Sequence, residues 1–212
     1  MALASCSNSK FNLDKIAPGY SQAFSAINTA VFGNNTNNIT PELIDQIPYA
    51  SMLVKIGQGP YGLMILQSLE GDISTWVSGD GVYLVLKKGK IIKTAGLINN
   101  LTRLNTNYFF ESSDYPNLFL KETYKYYYSF DPPQLRNLEV HATYDKTDFK
   151  KEALFNKKMK LSVIEENIVS EQINWRAKNK YWVDENSYIW KSEQQISPKL
   201  PVIYIEITKK PR

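Results

Sequence analysis

The 212-residue sequence holds a single cysteine, Cys6, and a single histidine, His141. One cysteine rules out an internal disulfide framework, and the two residues together rule out the His/Cys clusters that most zinc sites require. Histidine-based nucleophilic chemistry needs an imidazole beside a nucleophile, and no Gly-x-Ser-x-Gly elbow supplies one. There is no apolar run of about 18 residues, so no helix predicted from the sequence spans a membrane. Charge is nearly balanced as well. The 25 Lys and Arg exceed the 21 Asp and Glu by four, spread along the chain, which gives no basis for nucleic-acid binding. A cofactor motif is also missing. Gly57-Gln58-Gly59-Pro60-Tyr61-Gly62 matches G-x-G-x-x-G by letter, yet a dinucleotide site needs a helix opening there. Leu63-Met64-Ile65-Leu66 follows as a strand, so the motif reads as a hairpin turn. No catalytic residue, metal ligand or cofactor site is assigned.

What the chain has in quantity is aromatic surface, with 14 Tyr, 9 Phe and 4 Trp. Such residues suit half-buried strands. From Ala50 the apolar period is two, with predicted strands at Ala50–Ile56, Gly62–Leu69, Ile73–Val77, Val82–Leu86 and Ile91–Thr94. Leu97, Ile98, Leu101 and Leu104 have the spacing of one or two helical turns, and a polar loop follows to about Pro116. Tyr124, Tyr126, Tyr128 and Phe130 share a face, as do Leu138, Val140, Ala142 and Tyr144. Further strands are predicted at Lys160–Glu165, Ile168–Trp175, Lys180–Val183, Ile189–Gln194 and Val202–Thr208. Before the strands, Tyr20 to Val31 carry a helical period closed by Gly33. Thr40-Pro41 then opens a short helix that Pro48 ends. The expected fold is mainly β: an antiparallel meander, closed into a barrel or folded over itself, with a short N-terminal helix.

The amino end carries a more specific signal. Leu3-Ala4-Ser5-Cys6 looks like a bacterial lipobox, after which the cysteine is acylated. Met1-Ala2-Leu3 is too short for the charged and apolar regions of a signal peptide. Residues 1–18 are therefore expected to be a signal remnant, the lipobox and a polar tether, and 19–212 a single β-rich domain. Each buried methylene of an acyl chain contributes about 0.8 kcal/mol, so two or three chains anchor a protein stably. Ser7 follows the cysteine, not the Asp associated with inner-membrane retention, which points to the outer membrane.

Candidate site residues are few. His141 shares an outward face with Glu139 and Thr143 and reads as a surface residue. The acidic pairs Asp145/Asp148, Glu165/Glu166 and Asp184/Glu185 are placed at turns or strand ends, where carboxylates are solvated rather than paired for glycoside chemistry. In the hairpin Asn179–Gln194, Trp182 and Trp190 cannot both face a one-sided core. Whichever points outward, together with Tyr127, is a candidate interaction surface.

Several motifs taken together resemble a known family. Ile47-Pro48-Tyr49-Ala50-Ser51-Met52, Ile56-Gly57-Gln58-Gly59-Pro60, Trp76-Val77-Ser78 with Asp80, Lys93-Thr94-Ala95-Gly96-Leu97, Asn179-Lys180-Tyr181-Trp182-Val183-Asp184 and Ser192-Glu193-Gln194 occur in the order seen in the YjbF-like lipoproteins of group 4 capsule and exopolysaccharide operons. The resemblance covers roughly residues 20–208 and implies a large antiparallel meander sheet curved on itself, half-barrel-like. It implies acylation at Cys6, outer-membrane localisation with the domain facing the periplasm, and a non-enzymatic part in assembling or secreting an extracellular polysaccharide. It further implies partners among export proteins, an outer-membrane barrel or a periplasmic protein, and contact with polysaccharide. The alternative is a half-barrel carrier or receptor for a lipid or lipidated ligand.

Overall fold

Alternation of inward and outward side chains organises almost everything after Tyr49. The computed structural model describes residues 39–106, 123–146, 148–155 and 157–211. The expected helix over Tyr20–Val31, the tether, Cys6 and most of the loop expected before Pro116 lie outside the described residues. Helix α1 is Pro41–Gln46. The first half forms strands β1 Ser51–Ile56, β2 Gly62–Glu70, β3 Ile73–Ser78, β4 Tyr83–Lys87, β5 Lys90–Ala95 and β6 Asn100–Thr106. The second half forms β7 Tyr124–Asp131, β8 Leu135–Lys146, β9 Lys150–Ala153 and β10 Lys158–Ser170. After a single 3-10 turn come β11 Trp175–Val183, β12 Ile189–Gln194 and β13 Ile203–Lys209.

Twelve of these strands follow one another in the order β5-β4-β3-β2-β1-β13-β12-β11-β10-β8-β7-β6, and β9 pairs with the start of β10. Every pairing is antiparallel. The last strand, β13, lies between β1 and β12 and so joins the two halves of the chain. The ends of the path, β5 and β6, are consecutive in sequence and meet across a seam. There the Leu101 amide donates to Thr94 Oγ1 at 3.0 Å, and Asn100 exchanges two 3.0 Å bonds with the Leu97 backbone. The sheet is thus nearly closed into a barrel, which removes most of the exposed edge that an open sheet of this width would present.

The inner face is filled by every second residue. Tyr124, Tyr126, Tyr128 and Phe130 of β7 meet Leu138, Val140, Ala142 and Tyr144 of β8, with Ile203, Ile205 and Ile207 of β13 opposite. Two smaller apolar clusters cover the outside. Thr40 caps α1 by accepting the Leu43 amide at 3.3 Å, Pro41 takes its first turn, and Lys209 donates to the carbonyls of Asp45 and Ile47 at its end. The helix thereby lays Ile44 on Leu53, Leu63, Ile65 and Val77. The β9–β10 hairpin lays Leu154 and Leu161 on Trp182, with Met159, Val163 and Trp190 around them. Its tip is held where the Phe155 amide donates to Glu206 on β13.

Three expectations are corrected. Leu97–Leu104 is not helical. Leu101 and Leu104 both point inward because a bulge between Leu101 and Arg103 adds a residue to β6, and a bulged strand shows a three-residue spacing. Second, Lys160–Glu165 and Ile168–Trp175 are not two strands with a turn between them. One strand, β10, runs through Glu165-Glu166-Asn167, and the turn comes at Glu171–Ile173. Third, β9 was not foreseen, since its Lys-Lys-Glu-Ala sequence has no apolar alternation.

Trp182 is the keystone of the outer cluster under the hairpin. Trp182→Ala is expected to lower unfolding free energy by about 3–5 kcal/mol, as for other large aromatic truncations in packed surroundings. Urea denaturation measures both, with Tyr127→Ala, at a partly exposed position, changing the unfolding free energy by no more than about 0.5 kcal/mol.

Candidate functional site

The polar centre of the barrel is Glu166. Its position in β10 alternates in phase with Ile164 and Ile168, so the side chain points inward, and it is fully buried. Four donors surround it. Oε1 accepts from Lys90 Nζ and from Tyr144 Oη at 2.6 Å; Oε2 accepts from Asn179 Nδ2 and Tyr181 Oη, each at 2.8 Å. Tyr126 Oη is hydrogen-bonded to Tyr144 Oη, and the Lys90 ammonium also lies 4.6 Å from the Tyr126 ring centre. Gln194 completes the layer. Its Oε1 accepts the Ile91 amide at 2.9 Å, while its Nε2 donates to Gly89 O and Ser192 Oγ at the same distance. Gly89 has φ +79°, and a Cβ there would come within 2.8 Å of Ile189, so only glycine lets the β4–β5 turn sit this close to β12.

Burial alone would push the Glu166 carboxyl up. The Lys90 charge and the hydrogen bonds from Lys90, Tyr144 and Asn179 outweigh it and hold the group below the usual carboxylate range. Burial draws the Lys90 ammonium down, with Glu166 opposing. Burial first, and then the Glu166 charge, raise Tyr144 and Tyr181 well above the ordinary phenol value, so both remain donors. Each carboxylate oxygen already accepts two bonds, its full capacity. Such a group is an ionised structural anion with no lone pair or open face left for a substrate. It is not poised as a general acid or base.

The two ends of the barrel differ. At one end, the loop between β12 and β13 sends Ile196 and Leu200 into the core. Asn99 there donates to Pro132 O at 2.7 Å and accepts from Ser197 Oγ. The other end opens into a cavity of about 390 Å³ between the β2–β3, β4–β5 and β11–β12 turns and the Lys210-Pro211 segment. Asp184 shapes that rim. Its Oδ1 accepts the Asn186 and Tyr188 amides at 2.9 Å, and its Oδ2 accepts Trp190 Nε1 at 2.8 Å.

The residues singled out from sequence are scattered. Trp182 lies on the outer face but is 8% exposed beneath the hairpin. Trp190 is half-buried between the inner core and the hairpin cluster, with Lys157 Nζ 3.4 Å from its ring centre. A bulge at Trp182/Val183 disturbs the alternation that placed the two tryptophans. Tyr127 is exposed on the outer face of β7–β8, where Glu139 pairs with Lys125 at 3.0 Å and His141 at 2.9 Å. The reading of Glu165 and Glu166 as a solvated pair at a strand end is corrected for Glu166, which is the buried anion. Glu165, facing out, pairs with Lys178 and Lys180. Unbroken alternation from Ser162 to Ser170 was the signal for Glu166. Lys90, beside a turn glycine, carried none. Among the described residues, no three His, Cys, Asp or Glu side chains converge as a metal site.

The family model described as "Group 4 capsule polysaccharide lipoprotein gfcB, YjbF" matches residues 24–208. Two Escherichia coli K12 proteins described as uncharacterized lipoproteins are similar. YjbF is 24% identical over 178 residues, 79% of this chain and 78% of that protein. GfcB is 28% identical over 78 residues, 37% of this chain, which spans only 36% of that protein's length. The crystal structure of the E. coli hypothetical lipoprotein YmcC superposes with a TM-score of 0.71 at 19% identity, covering 89% of this chain and 96% of that one. That likeness concerns the fold.

Two outcomes follow from the buried pair. Glu166→Gln leaves Lys90 as an uncompensated buried charge and is expected to cost about 3–5 kcal/mol, whereas the double change Lys90→Met with Glu166→Gln, which removes both charges but keeps an amide acceptor for the Tyr and Asn donors, should recover part of that loss. Chemical denaturation at pH 7 distinguishes the two.

The acid limb has a definite sign. A carboxyl held below its unfolded value binds fewer protons folded than unfolded in acid, so stability rises with pH there. The contribution is complete above the unfolded value near pH ~4.3 and is lost as pH falls through the folded value. Denaturation midpoints measured between pH 7 and pH 2.5 should fall less steeply in the double variant than in the parent.

Proposed function

We propose, because this chain belongs to the YjbF family of group 4 capsule polysaccharide lipoproteins, that it is a lipid-anchored envelope protein that assists assembly or secretion of a capsular or extracellular polysaccharide without catalysing a reaction. The observation that carries this reading is the family match over residues 24–208. Capsule context comes from the family description, and lipoprotein character from both relatives. Absence of catalysis is supported by the chemistry of the acids. The buried carboxylate is fully coordinated, and Asp145, Asp148 and Glu185 are exposed to solvent.

In this reading Cys6 carries the acyl chains, the anchor is in the outer membrane, and the barrel faces the periplasm. There it meets protein partners of the export apparatus, an outer-membrane barrel or a periplasmic protein, and the polysaccharide itself. The contact face is the outer side of β7–β8, where Tyr127 stands beside the Lys125–Glu139–His141 cluster. An exposed aromatic ringed by charge has the composition of an interface centre. Trp190 contributes at its exposed edge, whereas Trp182 holds the hairpin.

Expressed behind a complete signal peptide in a strain lacking its own copy, the parent should fractionate with the outer membrane and support polysaccharide secretion. Cys6→Ser should abolish palmitate labelling and release the protein from membranes. Tyr127→Ala should reduce secretion at an unchanged melting temperature. Normal secretion by the Tyr127 variant would remove that face from the reading, and membrane retention of the Cys6 variant would remove the anchor.

A further inference from the structure

We propose that the cavity at the open mouth of the barrel is a binding site for a single-chain amphiphile with an anionic head. Nothing in the capsule reading requires such a site, and the two stand or fall separately. At about 390 Å³ the space lies within the range of small-molecule sites. Its floor is Leu86, Ile164, Val183, Ile189 and Ile207, all branched aliphatics. Trp76, also at the floor, already donates its indole N–H to Ser74 Oγ at 2.8 Å. The layer beneath is the closed Glu166 network, whose acceptors are occupied. A sugar lowered into this floor would exchange water for aliphatic carbon at its hydroxyls, which is unfavourable. A hydrocarbon tail loses nothing there and gains the burial of its own surface.

Charge at the rim selects the head. Lys88 is paired with Asp72 at 3.5 Å. Lys210, 4.1 Å from the Tyr188 ring centre, has no carboxylate within ion-pairing distance among the described residues. Among the residues that line the cavity, Lys88 and Lys210 exceed Asp72 by one positive charge, directly above an apolar floor, while Asp184, behind the lining, turns its carboxylate to the Asn186 and Tyr188 amides and the Trp190 indole. A cation over a greasy well is complementary to an anionic head on an alkyl tail. A carboxylate and a phosphate both satisfy it.

The test uses the full 212-residue chain and titration calorimetry with octyl, decyl and dodecyl phosphate below their micellar concentrations. One site per chain is expected, tightening about fourfold for each added methylene, the ratio equivalent to burying one CH₂. Decanoate against decyl phosphate ranks the two heads, and either order supports the site. Dodecyl maltoside, with a neutral head, should bind more weakly than dodecyl phosphate. Lys210→Glu, an exposed change, should erase that preference. Val183→Phe should block every ligand; because it alters the core, the tail-length series and the Lys210 arm are read independently of it. Absence of binding, affinity independent of tail length, displacement of the alkyl chain by maltohexaose, or a head preference unchanged in Lys210→Glu would each overturn the proposal.

Discussion

The buried contact between Lys90 and Glu166 makes sense only in a closed sheet. Lys90 opens β5, at one end of the strand path, while Glu166 lies in β10, eight inter-strand steps away through β13. At about 4.8 Å per step the two would be roughly 38 Å apart measured along an open sheet. Only when β5 comes round to β6 does the ammonium reach the carboxylate. An open meander would leave both charges seeking water, and a wrongly curled one would bury them unpaired, at a cost of several kcal/mol per ion. The carboxylate also serves as acceptor for Tyr144, Asn179 and Tyr181, so an apolar residue in its place would leave three buried donors unpaired. The pair's physical effect is to make closure the one arrangement in which the interior is electrostatically satisfied.

Neighbouring features follow from that arrangement. Tyr144 and Tyr181 flank Glu166 on the adjacent strands β8 and β11, so their hydroxyls complete its shell without a backbone adjustment. Gln194 then ties the same layer to the β4–β5 turn through Gly89. The layer separates two unlike ends. One is stopped by Ile196, Leu200 and the Asn99 bridge; the other stays hollow because its floor is aliphatic and its rim is made of turns. The buried charges stay within one saturated layer, and the open end has an apolar floor.

The strand content, the position of α1 and the inward face of β7 and β8 were legible because alternation and capping are local codes. Failures cluster where a local code is interrupted. A bulge in β6 turns period two into an apparent helical spacing at Leu101 and Leu104. Another at Trp182/Val183 displaces the tryptophan alternation in the β11–β12 hairpin. Glu165-Glu166-Asn167 reads as a turn because three polar residues seldom cross a core. They cross this one since Glu165 and Asn167 face out and Glu166 finds four donors inside. No local pattern encodes a donor 76 residues away, so the centre of the barrel was legible only in phase, not in chemistry.

The tyrosine bias of the sequence has a double cause in this architecture. A wide barrel must be filled, and large planar rings from adjacent strands fill it with edge-to-face packing, as Tyr124 does with Tyr144 at 5.3 Å between centres. Phenylalanine would fill the same volume. It would not supply the two phenolic donors that hold the Glu166 oxygens, nor the Tyr126 hydroxyl that bonds to Tyr144. Tyrosine meets both demands within one rotamer. Tryptophan is used differently: Trp182 and Trp190 sit where the β9–β10 hairpin folds over the outside, and they hold an appendage on rather than filling the interior. Tyr127 does neither. It faces outward, partly exposed among the described residues, and its ring lies beside the Lys125–Glu139–His141 cluster rather than in either apolar layer.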